Sequence, residues 1–590
     1  MIHSPITCDV LVIGSGGAGL YSAISAAEQG AKVVLATKGK VNRSGATLLA
    51  GANISADVMC DGKTLCDLGV PTGDPNDSMD KWYADIIHEG FYLNDRDLVA
   101  QYVEQAAVCV SKMLTDGVRL TDASEGGRQI GVPGSAILDW LYRRVTSLGV
   151  EVLQDVMLCD LLKSGDGSAA GALLLDIASG ELMAVSAGAT VLATGGMHNC
   201  YTFNSGTTGL FGEGQAAAMR LGADMTLMEM VTFCPDVICA PEKYRGNILP
   251  YILQCCGFGE LFNGRGEPFL HKYMSQSAEQ LALNTEWNKL LLCYAMHQEV
   301  HAGLGDTHGG IRFTIANLEP ERRQQLFDML PQLNTGLYKE ILAYHDTNGG
   351  LSVYAAGHYF DGGIKVDKHM ATNIPGLFAA GECTGGLFGA NRVAAATVQM
   401  MVQGCQAGLS AASFVKAAGQ RTPDSAWLEH VSAEALSPFI WESGEAPRKL
   451  RKSISAIVSE SAGVIRNEQD LLKGLSDLKE LADCRVKLSV RGHMYNREWM
   501  DWLESRSMRL CGEAIIKSSL ARKESRGVFI RSDHFYTDDD NYLAATVLHN
   551  GEVTLQQVRQ DAITCPAGRH EYIQNLEDVI GRLSYSVEGV

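Results

Sequence analysis

Apolar positions along the chain fall into short unbroken runs that end in glycines. Residues 8 to 13, CDVLVI, make one such run, and GSGGAGLYSAISAAEQG follows with a small-residue helical pattern before a second run, KVVLAT, at 32 to 37. The pattern predicts strand, glycine turn, helix, strand, which is one βαβ unit. Further on, ATVLATGG (189 to 196) and IPGLFAAGECTGG (374 to 386) predict buried strands that run into glycines. GHYFDGGIKVD (357 to 367) sets an alternating strand pattern, a histidine and an acidic residue against a Gly-Gly pair. Charged helical patterns fill KLRKSISAIVSESAGVIRNEQDLLKGLSDLKELAD (449 to 483), and no internal repeat or low-complexity linker interrupts the chain.

At 590 residues and 63.5 kDa the chain exceeds what one hydrophobic core serves. Its 63 glycines cluster between apolar runs, which suits loops that approach a ligand closely. A net charge of −19 excludes the basic footprint of a nucleic-acid or anionic-membrane surface. No apolar run reaches the roughly 18 to 20 residues of a spanning helix, and the Gly/Ala-rich stretch from 384 to 418 is broken by Arg392. MIHSPIT passes straight into a strand without a targeting pattern, so a cytoplasmic place is expected. The 16 cysteines form no CxxC pair or ferredoxin-like run, which signals neither zinc nor an iron–sulfur cluster and fits free thiols in a reducing compartment.

Gly14, Gly16 and Gly19 match G-x-G-x-x-G, with Gly17 between them. In that motif the first glycine makes the tight turn, the second lets backbone approach a pyrophosphate, and the third lets helix and strand pack. A plain NAD site places an acidic residue at the end of the second strand; here that strand ends in Thr37 and Lys38. An i,i+4 series, Lys289, Cys293, His297 and His301, puts a polar stripe along one side of a predicted helix. A histidine pair at that spacing can bind a metal, but no third ligand with supporting spacing is visible, so no metal is expected.

Together with KGKVNRSGATLLAGA (38 to 52), FGEGQAAAMRLGAD (211 to 224), GECTGGLFGANRV (381 to 393) and RKESRGVFIRSD (522 to 533), these stretches resemble the flavoprotein subunits of succinate dehydrogenase and fumarate reductase. L-aspartate oxidase and adenylylsulfate reductase are relatives of that family. The resemblance implies an α/β fold: a two-dinucleotide-binding-type FAD domain (1–232 and 351–425) with an inserted α+β capping domain (233–350), then a helical domain (426–535) and a small C-terminal domain (536–590). It implies FAD contacts from the glycine motif, Thr37 and Lys38, from Ser44, Thr47 and Gly51, from Ala193, Thr194 and Gly195, and from Glu213, Glu382, Thr397 and Val398. The family residue that links FAD covalently is replaced by Gly45 in NRSG, so the cofactor is expected to be noncovalent.

His358 and Arg392 match the family residues that bind a substrate carboxylate, and Lys289 stands opposite the arginine credited with proton transfer; His297, on the same stripe, is the second candidate proton carrier. Three further departures set the chain apart. In EMVTFCPD, Cys234 replaces a substrate-binding histidine; in NRVAAAT, Ala396 replaces an asparagine; in ESRGVFIRSD, Phe529 replaces a histidine. The expected activity is hydride transfer between FAD and an activated carbon–carbon bond of an organic acid other than fumarate or succinate. Adenylylsulfate-reductase-like chemistry, aspartate-oxidase-like imine formation, and service as the flavoprotein electron-transfer subunit of an iron–sulfur complex are the alternatives.

Overall fold

The computed structural model describes residues 2–50, 53–55, 78–119, 122–123, 129–250, 258–284, 288–393 and 395–584. The first apolar run becomes strand β1 (Ile2–Ile13), followed by helix α1 (Gly17–Glu28) and strand β2 (Val33–Thr37). Strands β3 (Glu151–Gln154), β4 (Val156–Lys163), β5 (Ala169–Asp176) and β6 (Glu181–Leu192) complete the sheet in the order β3-β2-β1-β6-β5-β4. β1 lies parallel to both neighbours, with Val10 opposite Val33 and Val12 opposite Val191, whereas β4, β5 and β6 form an antiparallel meander. Helices cover the parallel half, so β2 is buried at every position and reads as continuous Val, Leu and Ala rather than as an alternation. Far along the chain, Leu377–Ala379 returns to pair in parallel with Thr190–Leu192 of β6.

The capping region is a second layer with its own core. Strands β7 (Val231–Ala240) and β8 (Leu351–Phe360) pair antiparallel, and Ile311–Thr314 and Glu260–Phe262 extend the sheet beyond β8. Helix α2 (Asn288–Glu299) packs on β7 and β8, and its Leu290, Leu291 and Leu292 are all buried.

Helix α3 (Ala396–Ala418) crosses α1 at a seam of small residues. A Cβ on Gly404 would lie 2.6 Å from the Ala18 carbonyl oxygen, and one on Gly408 would lie 2.2 Å from that of Ser22. The sequence therefore spends glycine, alanine and serine there to let two backbones approach. Helices α4 (Pro447–Ser461), α5 (Glu468–Glu480) and α6 (Arg497–Ala521) pack on one another and on the first domain. After α6, Arg522, Glu524, Arg526 and Arg531 are all buried. Arg522 reaches back to Glu229 at 2.8 Å and on to Glu524 at 2.7 Å, pinning the chain's last part to the segment that leads into β7.

Candidate active site

Two strand ends and one helix start converge at the cofactor cleft. Gly14 has φ +112°, and a Cβ there would stand 2.1 Å from the Ala193 carbonyl oxygen, so the β1 turn is pressed against the end of β6. A Cβ on Gly19 would strike the Gly14 carbonyl oxygen at 1.8 Å. Gly16 differs: its nearest neighbour is Thr47 Oγ1 at 3.6 Å, which leaves space open at the start of α1. That helix has no acidic residue in its first turn, and the Gly17 N–H donates to Thr47 Oγ1 at 3.2 Å. An uncovered glycine at a helix N-terminus, at the carboxyl ends of parallel strands, suits a pyrophosphate.

The other expected cofactor residues have varied surroundings. Ser15 Oγ donates to Thr37 Oγ1 at 2.8 Å, tying the glycine turn to the end of β2. Lys38 Nζ lies 2.6 Å from Glu213 and 2.7 Å from Glu504 on α6, above the Phe211 ring. Ser44 Oγ donates to the Lys40 carbonyl at 2.8 Å. Thr194 Oγ1, beyond β6 and between Ala193 and Gly195, is buried with no hydrogen-bond partner among the described residues. Glu382 receives the Phe360 N–H at 3.3 Å, and burial holds its carboxyl above the usual range. Thr397 and Val398 are buried in the first turn of α3; Gly51 lies outside the described residues. The open Gly16, the bare helix start and the orphaned Thr194 hydroxyl fit a bound dinucleotide.

Beside this cleft, β8 presents His358. Its Nδ1 meets Ser205 Oγ at 2.8 Å, and Arg392 Nη2 stands 3.4 Å from its Nε2. With a guanidinium facing it, Nε2 must accept, so the ring is neutral with its proton on Nδ1. Burial first, and then Arg392, hold its pKa well below the usual histidine value. His198 Nε2 donates to the His358 carbonyl at 2.7 Å and sits 3.5 Å from Glu382, joining the pocket to the cofactor side. The Arg392 guanidinium also lies 4.5 Å from the centre of the Tyr359 ring.

The Arg392 loop is fixed from two sides: the Ala390 N–H donates to Gly90 and the Val528 N–H donates to the Ala390 carbonyl, at 2.9 and 2.8 Å. Lys289, in the first turn of α2, is 4% exposed and within Coulombic reach of His358, Asp361 and Asp236. Asp361 accepts from Thr232 Oγ1 at 2.7 Å, and burial pushes its pKa up to about 7.

The structure thus brings His358, Arg392 and Lys289 together. His297 lies two turns further along α2, where its Nδ1 meets the Tyr354 hydroxyl at 3.2 Å and its ring stacks on His301 at 3.7 Å. Burial and the His301 charge lower it to about 3. Cys234 is buried against Val237 and Ala356. Asp361 is the acidic residue of GHYFDGGIKVD, whereas Ser205, His198 and Asp236 carry no pattern that singles them out; Asp236 stands inside EMVTFCPD, and its presence there was the available signal.

A dinucleotide cleft at the ends of parallel strands, capped by a second layer that brings a histidine and a lysine toward an arginine in the loop before α3, defines a two-dinucleotide-fold flavoprotein. Residues 9–398 match the FAD binding domain family model, and residues 451–572 match that of the fumarate reductase flavoprotein C-terminus. The chain belongs to the fumarate reductase and succinate dehydrogenase flavoprotein family, and FAD is its cofactor. It is 29% identical over 546 residues to a subunit of the fumarate reductase (CoM/CoB) of Methanothermobacter marburgensis, covering 89% of this chain and 94% of that one. It is 26% identical over 611 residues to L-aspartate oxidase of Streptomyces coelicolor, covering 96% and 97%. Mycobacterium smegmatis Sdh1, solved in complex with UQ1, superposes with a TM-score of 0.81 at 26% identity, covering 94% of this chain and 95% of that one. Among the described residues no helix is long and apolar enough to cross a membrane.

Proposed function

We propose that this flavoenzyme transfers hydride between FAD and an activated carbon–carbon bond of an organic acid that carries one carboxylate at the Arg392 end and a less anionic group at the other. The observation that carries the reading is the His358–Arg392 pair at 3.4 Å with Lys289 buried beside it. FAD, when bound, supplies the two-electron hydride chemistry. The residues supply the rest. Arg392 offers a planar fork that matches a carboxylate through paired hydrogen bonds. His358, held neutral, accepts from Arg392 and so orients the guanidinium toward that carboxylate without adding a charge. Lys289 delivers or removes the proton at the neighbouring carbon, where a positioned acid or base is worth about 10²- to 10⁴-fold.

The substrate's far end follows from charge. Where the family pattern has a second cation, this chain has Cys234, so a second carboxylate there gains no positive charge from that position. Gly45 offers no side chain for a flavin linkage, so FAD is held noncovalently and acid precipitation should release it. A separate iron–sulfur subunit would exchange electrons with the flavin.

The test is anaerobic. The flavin is photoreduced and its reoxidation followed with fumarate and with crotonate, which keeps one carboxylate and replaces the other by a methyl group. Faster reoxidation by the monocarboxylate supports the reading; reoxidation by fumarate at the faster rate refutes the substrate assignment. If neither acid reoxidises a flavin that an added iron–sulfur protein does reoxidise, the chain is an electron-transfer subunit.

A further inference from the structure

Asp236 is the most anomalous acid in the described part of the molecule. It is 0% exposed, and neither carboxyl oxygen has a hydrogen-bond partner among the described residues. Its backbone is well anchored, with its carbonyl accepting from the Leu249 N–H at 2.9 Å, so the side chain's position is imposed by the fold. The cause is a bulge in β7: Cys234 pairs with Ala356 but Val237 pairs with Tyr354, so Pro235 and Asp236 together oppose Ala355. Bulges of this kind re-aim one side chain, commonly beside an active site.

What Asp236 meets is the first turn of α2, which packs across β7. Lys289 is the one charge that reaches it among the described residues, and Cys293, a turn further on, is within reach of both Cys234 and Asp236. His358 and Asp361, on and just after β8, are further titratable groups within reach of Lys289. An ionised carboxylate without hydrogen bonds is not stable in such a place, and burial accordingly holds this carboxyl well above the usual range. A buried carboxyl without hydrogen bonds among the described residues therefore lies within reach of Lys289.

We propose that Asp236 is a positioning residue that stores the proton with which Lys289 is recharged after each turnover. This rests on Lys289 being the proton carrier. In the reductive direction the Lys289 ammonium gives its proton to the substrate carbon and becomes an amine. The Asp236 carboxyl then gives its proton to the amine, leaving a carboxylate paired with an ammonium, and a proton from water restores the carboxyl. One proton enters from solvent for each one delivered to carbon, and no electrons move in the relay.

Two measurements on the FAD-loaded full chain test this. The first needs no substrate: infrared spectra of ¹³C-aspartate-labelled protein at pH 8.5, where Asp361 is ionised, should show a carboxylic acid band that Asp236→Asn removes. If the band is missing from the parent protein, the proposal fails, whether or not the variant folds. The second separates recharging from first delivery, with whichever of fumarate or crotonate reoxidises the flavin faster. Asp236→Asn should leave single-turnover reoxidation within about twofold and slow steady-state turnover by roughly tenfold or more, with recovery in Asp236→Glu. Equal losses in both phases would mean a merely structural role and overturn the proposal. Lys289→Met should abolish both phases. If it changes neither, the proton-carrier reading itself is wrong; if it abolishes both while Asp236→Asn changes neither, only the storage role is wrong.

Discussion

Gly527 shows how a distant segment sets the loop of Arg392, the proposed carboxylate ligand, and Gly527→Ala measures it. The residue has φ +52°, and a Cβ on it would stand 2.1 Å from the Ala390 carbonyl oxygen, which already accepts the Val528 N–H at 2.8 Å. A left-handed conformation costs an alanine about 1–2 kcal/mol, and losing that hydrogen bond costs about 1 kcal/mol more. The sum, about 2–3 kcal/mol, should speed exchange of the Val528 amide by roughly 30- to 150-fold. Ala390 is two residues from Arg392, and a displacement of about 1 Å at a substrate-positioning residue can cost up to about a hundredfold in rate. Flavin reoxidation by the preferred acid should therefore slow as well. Gly30→Ala is the control: φ is +83° there, but nothing lies within 4 Å of the added Cβ. It should pay the backbone term locally and leave both readouts alone. If Gly527→Ala matches Gly30→Ala in Val528 exchange and in reoxidation rate, the claim that this close approach holds the Arg392 loop is refuted.

Other outcomes follow from the same geometry. Burial moves Asp361 from 3.8 to about 7, so the folded protein binds more protons than the unfolded chain between those values. Stability should fall as pH rises from about 4 to 7, by up to about 4 kcal/mol, and Asp361→Asn should flatten that slope in denaturant titrations at pH 4.5 and 7.5; equal slopes would count against it. Arg392→Lys keeps the charge but loses the planar fork, so the apparent affinity for the acid should drop about 10- to 150-fold in stopped-flow reoxidation; an unchanged affinity would remove Arg392 from the carboxylate. Glu504 is buried between Lys38, Arg451 and Arg497, whose side chains keep 22%, 21% and 53% of their exposure. Glu504→Gln should therefore cost only about 1–3 kcal/mol, less than a fully buried pair, and should be seen as faster FAD release by flavin fluorescence.

What was legible in the sequence was what local pattern encodes. The βαβ unit declares itself through apolar runs and glycines, because Gly14 and Gly19 are required by contacts that a Cβ would break. The pairing of His358 with Arg392 was reachable because each sits in a short motif. The rest depends on partners far apart in the chain. Glu504 holds Lys38 across 466 positions, and no periodicity links them. Lys289 and His297 share one stripe of a helix, yet two turns of rise carry them to different surroundings, which spacing alone does not reveal. Asp236 owes its position to a bulge that residue order does not announce.

The return of Leu377–Ala379 to β6 and the seating of α3 on α1 also bear on how the protein is made. The wall of the cofactor cleft closes only when residue 418 has joined helix α1, which ends at residue 28, a separation of 390 residues. At about 5–20 residues per second, a ribosome needs roughly 20–80 s to synthesise that interval. Through that time the glycine turn of a nascent chain waits without its covering helix. Flavin capture is therefore a late event in biosynthesis, and a chain truncated before residue 396 should emerge without flavin even though it carries the whole glycine motif.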